Sequence, residues 1–531
     1  MSIRITYTTP NSPAEVAAMN QAFDQAVAQH RAHLGHHYPA QIGYHPIHTS
    51  SSTFASTNPA HLEEELHTFA EFPLNELDTV MMHARTAQHQ WARLPWQSRV
   101  AYMRRVAERI RTHIMALAAA VTLESGKNRA ESLGDVAEAA DLIDYYADEL
   151  SATDGYHRPL GSLLPGEQTG SWMRPYGVFV VIAPFNFPMA LATGMSSAAL
   201  LAGNTVVFKP SEETPWTGQL LADIMRDSGM PEHVFQICHG KGSVIGRALV
   251  NHPNTAGVAF TGSVATGMEI QRACQSGRWS KPCLMELGGK NGAIIMPSAN
   301  LDEAALGCVK SVFGLSGQKC SALSRIIVHR DIKEPFMRKL TEIAQTWIVS
   351  EPTRLTCNLG PVINAAAVQR AERARALANT AGGRLVYTHT RTDGDLPIGH
   401  YVMPMFAELP AAHELMQHEL FIPFAGITTV SSLDDAIATL NFSDFGLTAG
   451  CFSQDETDIQ RFFHEAEAGV LYVNRPTGAT TGAWPGVQSF CGWKASGASG
   501  KGGCGPWYVS QFMREQSRTR MLPITAQSTK V

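Results

Sequence analysis

Charge is sparse in this chain. Asp, Glu, Lys and Arg make up 17% of its 531 residues, and the two signs nearly cancel to a net charge of −5. With a pI near 6.5, nothing points to nucleic acid or an anionic membrane as a partner. Long apolar runs are also missing: no stretch of about 18 apolar residues occurs, so no bilayer-spanning helix is expected. The opening MSIRITYTTPNSPAEV lacks the basic segment and apolar core of a secretory leader. Cysteine pairs are the third absence. The nine cysteines are scattered, odd in number and never spaced CxxC, which argues against a zinc cluster or a disulfide framework. Reduced thiols in a cytoplasm are the expectation. His36 and His37 adjoin, yet no third ligand stands at a fitting spacing, so no metal is expected.

What is present is length enough for two or three domains. Residues 1–50 read as an arm, with a helix over Pro13 to His33 and then a polar, His-rich stretch. From Asn75 to Leu150 the apolar spacing is helical, with Gly126 as a stop. Residues 151–172 lose that period and read as extended chain. From Val178 the pattern changes to short, doubly apolar runs, each followed by a turn and a helix: VFVVIA (Val178 to Ala183), then TVVF from Thr205, then runs at Val234 to Cys238 and Gly257 to Phe260. Such units imply a doubly wound parallel sheet with ligands at the carboxyl ends of its strands, where Asn186, Lys209 and Ser263 fall. A second strand–helix series runs from Asp302 to Asn474. Two α/β domains with a cleft between them are therefore expected. The expected division is 51–150 with 173–286, then 287–478, with 479–504 as a return segment and 505–531 leaving as a strand and tail.

The chemistry centres on SVFGLSGQKCSALSR, where Cys320 stands among small residues between a helix and a strand. A loop of that kind exposes a sulfur and lets backbone N–H groups approach a substrate oxygen. Glu286, at a strand end in MELGGKN, supplies a carboxylate. Asn186, after a buried strand, supplies an amide suited to a developing oxyanion. Lys209, Glu212 and the turn GSVATG (Gly262 to Gly267) supply a dinucleotide platform. Each of these taken singly has an ordinary structural explanation. Together they point to oxidation of an aldehyde through a thioester, with the hydride leaving to a nicotinamide and Glu286 activating water.

In this order, PFNFP, FKPSE, FTGS, MELGGKN and GQKCSA resemble the aldehyde dehydrogenase superfamily over most of the chain. The resemblance implies a Rossmann-type NAD-binding domain, an α/β catalytic domain and a small β oligomerisation segment (151–172 and 505–531) that pairs copies into a dimer or higher homo-oligomer. It implies Cys320 as nucleophile, Glu286 as general base and Asn186 as oxyanion donor. Lys209 and Glu212 would meet the adenosine ribose, and Ser263, after Gly262, the pyrophosphate. HELFIPF resembles the family's EEIFGPV, which implies Glu419 on the nicotinamide ribose and Phe421 in the nicotinamide pocket, with Ile422 where the family has Gly. Glu212 favours NAD over NADP, whose extra phosphate it would repel. HHYPAQIG, DVAEAADLIDYYA, GQKCSALSR and LYVNRPTGATTGAWPGVQSFCGWKASG further resemble the branch that oxidises glutamate γ-semialdehyde. That branch implies Ser321, Gly482 and Ala483 as anchors for a substrate carboxylate, with no competing buried cation, and Phe187 and Phe490 flanking its aliphatic chain. Trp484-Pro485 and Cys491 depart from the branch. Another small aldehyde as substrate is the alternative, and a silent scaffold a further one.

Overall fold

The computed structural model describes residues 12–47 and 52–523. The first eleven residues and the last eight of the expected C-terminal segment (524–531) lie outside them.

Five strands form the first parallel sheet, in spatial order Phe235–Ile237, Thr205–Lys209, Val178–Ile182, Thr255–Thr261 and Cys283–Glu286. In chain order this is 3-2-1-4-5, the doubly wound arrangement, with its switch point between Val178–Ile182 and Thr255–Thr261. Val178–Ile182 and Thr205–Lys209 are buried along their whole length. Helices cover both faces: Arg129–Ala152, Ala190–Leu201 and Trp96–Thr112 pack into one core and Leu77–Trp91 into the other. The helix Ile114–Ser125 ends at Gly126, whose φ of +77° carries the chain out in a left-handed turn.

The second sheet has seven strands, ordered Arg384–Thr388, Met405–Glu408, Phe424–Val430, Leu323–His329, Asn291–Ile295, Thr448–Phe452 and Val470–Val473. All run parallel except Arg384–Thr388, which is antiparallel to its neighbour on the edge. Leu287 to Lys290 are all that separates the last strand of the first sheet from Asn291, the first residue of the second. The carboxyl edge of one sheet thus faces the amino edge of the other across this crossing.

The arm is more integrated than its polar sequence implies. Ser12 and Glu15 form a reciprocal cap on the helix Pro13–Arg31, which buries Phe23, Ala26 and Val27 in the first core. His37–Tyr38 pairs in parallel with Thr68–Phe69. The extended segment also differs from expectation at both ends. Residues 151 and 152 complete the helix Arg129–Ala152, and the strand Glu167–Pro175 runs past 172. It pairs antiparallel with Met513–Met521 and His157–Pro159 in an exposed three-stranded ribbon. The chain from 505 does not leave directly: Tyr508, Val509 and Phe512 first return to the core of the first domain, because three large apolar side chains are buried there.

Candidate active site

The loop bearing Cys320 begins where the helix Leu301–Phe313 ends. Leu315, Ser316 and Gly317 all have φ near +50 to +70°, a conformation that costs free energy for residues bearing a Cβ. Tertiary contacts hold it. The Leu315 N–H donates to Glu131 Oε1 at 2.7 Å and the Ser316 hydroxyl to the Gly360 carbonyl at 2.7 Å. Gly317 lies so close to Ile422 that a Cβ would stand 2.1 Å from its carbonyl oxygen. The Asn291 amide then donates to the carbonyls of Cys320 at 2.7 Å and Ala322 at 2.8 Å, while its own oxygen accepts from the Thr448 N–H at 3.0 Å. The loop bearing Cys320 is thereby clamped to the first residue of the second sheet.

Cys320, Glu286, Phe187, Ser321, Gly482, Ala483 and Phe490 line one cavity of about 180 Å³. Glu286 ends its strand with Oε1 accepting from the Gly503 N–H at 3.1 Å, while Oε2 is buried without a partner. Burial raises its pKa to about 8. The Cys320 thiol is pushed up to about 12, by burial and then by the Glu419 and Glu286 carboxylates, against N–H groups of Ser321 and Cys320 that act the other way. Both shifts favour the uncharged forms, thiol and carboxylic acid. Asn186 lies against the loop, one amide hydrogen directed to the Gln318 carbonyl at 3.0 Å; the amide has a second to offer.

The dinucleotide-side residues sit at the first sheet's carboxyl edge and on the crossing. Lys209 Nζ is 3.5 Å from Glu212 Oε2, which also accepts from the Gly242 N–H at 2.8 Å. Gly262 has the Phe260 ring 2.5 Å from where its Cβ would be, so only glycine lets that turn form. Ser263 caps the exposed start of the helix Val264–Gln275 by accepting from the Thr266 N–H at 3.3 Å. Glu419 accepts from the Gly289 N–H at 2.8 Å, and its carboxyl, raised to about 7 by burial, occupies the space a Cβ on Gly288 would need. Phe421 takes φ +56° and meets Phe185 edge-on at 5.8 Å, so the left-handed position of this turn is Phe421 and not Ile422.

One expectation fails. The cavity is not free of cations, because Lys127, Lys319 and Arg475 line it. Lys127 Nζ is 2.9 Å from Asp135 Oδ2, with both side chains fully buried, and 3.8 Å from the centre of the Phe187 ring. Lys319 pairs with Glu131 at 3.4 Å. Arg475 donates to the carbonyls of Thr481 and Gly482. Lys127 comes from the approach to the helix Arg129–Ala152 and Arg475 from the late loop, both far from the motifs in sequence, whereas Lys319 directly precedes Cys320 within GQKCSA. The acids recur at Glu131, Asp135 and Glu138, a helical spacing that marks a shared face and was the available signal. Asn291 and Gly503 were missed as well; Asn291 lies within MELGGKN itself.

A thiol, a carboxyl with one oxygen left unpartnered and a Rossmann edge meeting at the joint of two sheets define a class. The aldehyde dehydrogenase family matches residues 47–517, and the chain belongs to that family. It is 33% identical over 518 residues to the 1-pyrroline-5-carboxylate dehydrogenase of Geobacillus sp. (strain WCH70), covering 96% of this chain and 98% of that one. The crystal structure of 1-pyrroline-5-carboxylate dehydrogenase from Thermus with bound NAD is similar with a TM-score of 0.91 and 31% identity, over 98% of this chain and 100% of that one. Proline utilization A from Bdellovibrio bacteriovorus is similar with a TM-score of 0.90 and 33% identity over 98% of this chain; the chain spans 54% of that longer protein. Among the described residues, no helix is long and apolar enough to cross a membrane and no group of metal-ligating side chains occurs.

Proposed function

We propose that the protein oxidises L-glutamate γ-semialdehyde, the open form of 1-pyrroline-5-carboxylate, to L-glutamate with NAD, a step of proline catabolism. The observation that carries this reading is the shared cavity of Cys320 and the partnerless Glu286 Oε2. The relatives named above support the substrate and the cofactor.

The residues present fit a dinucleotide. The exposed helix start at Ser263 suits a pyrophosphate, and Glu212 and Glu419 suit ribose hydroxyls. When bound, NAD supplies the acceptor for the hydride that leaves the aldehyde carbon.

Cys320 Sγ bonds to that carbon as its proton passes through water to bulk solvent. The resulting oxyanion is held by the second Asn186 amide hydrogen and the Cys320 N–H. After oxidation the carbon is a thioester. Glu286, in its carboxylate form, takes a proton from water through Oε2. The hydroxide oxygen bonds to the acyl carbon, the C–S bond breaks, and the acid leaves. Ser321, Gly482 and Ala483 anchor the substrate carboxylate, aided by the nearby Arg475 and Lys319 charges, and Phe187 and Phe490 flank the chain.

In this reading residues 51–150 with 173–286 form the dinucleotide domain and 287–478 the catalytic domain. The ribbon joins copies of the chain: it is exposed, and the adjoining Leu163 is 94% exposed. Light scattering on the purified protein tests the homo-oligomer. For the activity, NADH absorbance is followed on adding glutamate semialdehyde or aldehydes without the α-carboxylate. A clear preference for the former supports the substrate, and equal rates overturn it.

A further inference from the structure

The late loop carries two successive Thr-Gly-Ala triplets, 477–479 and 481–483. The first is folded beneath the catalytic loop, where the Ala479 N–H donates to the Gly307 carbonyl at 3.1 Å and the Thr480 hydroxyl to the Ser321 carbonyl at 2.8 Å. The second emerges at the cavity and delivers Trp484. The indole N–H donates to Asp141 Oδ2 at 3.0 Å. Asp141 Oδ1 in turn accepts from Arg111 at 2.8 Å, and Arg111 also meets Asp144 at 2.7 Å. The backbone is fixed on both sides of the ring. Gly482 has φ +113°, with the Arg475 guanidinium 2.2 Å from where a Cβ would be. Pro485 is buried, and the Gly486 N–H donates to the Cys504 carbonyl at 3.1 Å.

We infer that Trp484, held in place by Asp141, sets the length of aldehyde the cavity admits. This rests on the reading above for the five-carbon substrate and adds what bounds it. Cys320 and Glu286 form the wall contributed by the two sheet edges. Trp484 lines the cavity together with Leu142 and Tyr146 of the helix Arg129–Ala152, to which its indole is tied through Asp141. With the aldehyde carbon at Cys320 and the carboxylate on the late loop, each added methylene must displace a ring that a buried carboxylate and two fixed turns hold still. A wall tethered in this way discriminates by excluding volume. Asp141 acts through Trp484 and is a positioning residue.

The test compares kcat/KM for glutamate semialdehyde and its six-carbon homologue, and for plain aldehydes of five to eight carbons, in the full-length enzyme. In Trp484→Ala the six- to five-carbon ratio rises by about tenfold or more, carried by KM. Trp484→Phe keeps a ring but loses the N–H, and Asp141→Leu loses the acceptor; both shift the ratio the same way by a smaller factor. Asp141→Asn keeps an acceptor oxygen and restores the wild-type ratio. An unchanged ratio in a folded Trp484→Ala variant, or in Trp484→Phe if the former does not fold, overturns the inference, as does a change carried by kcat alone. If the wild type ignores glutamate semialdehyde but ranks plain aldehydes by length, and Trp484→Ala erases that ranking, the substrate reading falls and the length limit stands. If the wild type takes glutamate semialdehyde and the variant keeps its length order, the limit alone falls.

Discussion

The two halves of the crevice handle charge in opposite ways. On the dinucleotide side, Lys209 meets a Glu212 carboxylate that is 47% exposed and shared with a backbone N–H. On the substrate side, Lys127 and Asp135 form an ion pair with no exposure at all, against an aromatic ring. The Glu212 carboxylate remains hydrated and can exchange partners when a cofactor enters and leaves, while Lys209 itself is buried. The buried pair is permanent, and removing one member strands the other in a low-dielectric site. The side that must turn over its ligand whole is wet, and the side where bonds change is dry.

The sharpest way to break that contrast lies on the dry side. Cys320→Ala removes turnover altogether while NAD binding, read by fluorescence, persists; retained aldehyde oxidation would remove the thiol from the chemistry. Glu286→Gln slows thioester hydrolysis by about 10²–10⁴-fold, so a first-turnover burst of NADH remains and mass spectrometry finds an acyl adduct on Cys320. No burst and no adduct would show that Glu286 serves an earlier step.

Its pH dependence sharpens the comparison further. Because burial raises the Glu286 pKa to about 8, the carboxylate needed for hydrolysis is scarce below that pH. When hydrolysis limits turnover, kcat rises with pH toward a plateau above about 8, and Glu286→Gln lacks this limb. A flat profile between pH 6 and 9 in the wild type would contradict it. Lys127→Met leaves Asp135 buried and uncompensated, at a cost of about 3–5 kcal/mol, visible as a lower midpoint in urea. On the wet side the effect is smallest: Glu212→Gln weakens NAD binding by about tenfold and narrows its preference over NADP, both measurable by titration.

Much of the first domain could be read directly from the chain. Strands such as Val178–Ile182 and Thr205–Lys209 are buried on both faces, so they appear as unbroken apolar runs, and their turns carry the nucleotide motifs. The second sheet was harder. Met405–Glu408 and Val470–Val473 are short runs of four residues, and Arg384–Thr388 is a partly exposed edge strand. The helix Ala365–Leu377 is rich in Ala and Arg with little apolar contrast between its faces, so its period is faint. In the cavity, individual motifs were legible but their supports were not. Gly503 holds Glu286, and Glu131 holds Leu315, across 217 and 184 residues of chain respectively. Such contacts leave no local pattern, because only the folded topology brings the partners together.

The short crossing from Glu286 to Asn291 gives the molecule the mechanics of a pair of tongs riveted close to the jaw. A Cβ on Gly289 would stand 2.2 Å from the Cys320 carbonyl oxygen, so the rivet itself touches the loop that bears the sulfur. Any rotation about this crossing would move distant surfaces widely and the neighbourhood of the pivot little. Alignment of the reacting atoms can therefore survive from one opening to the next.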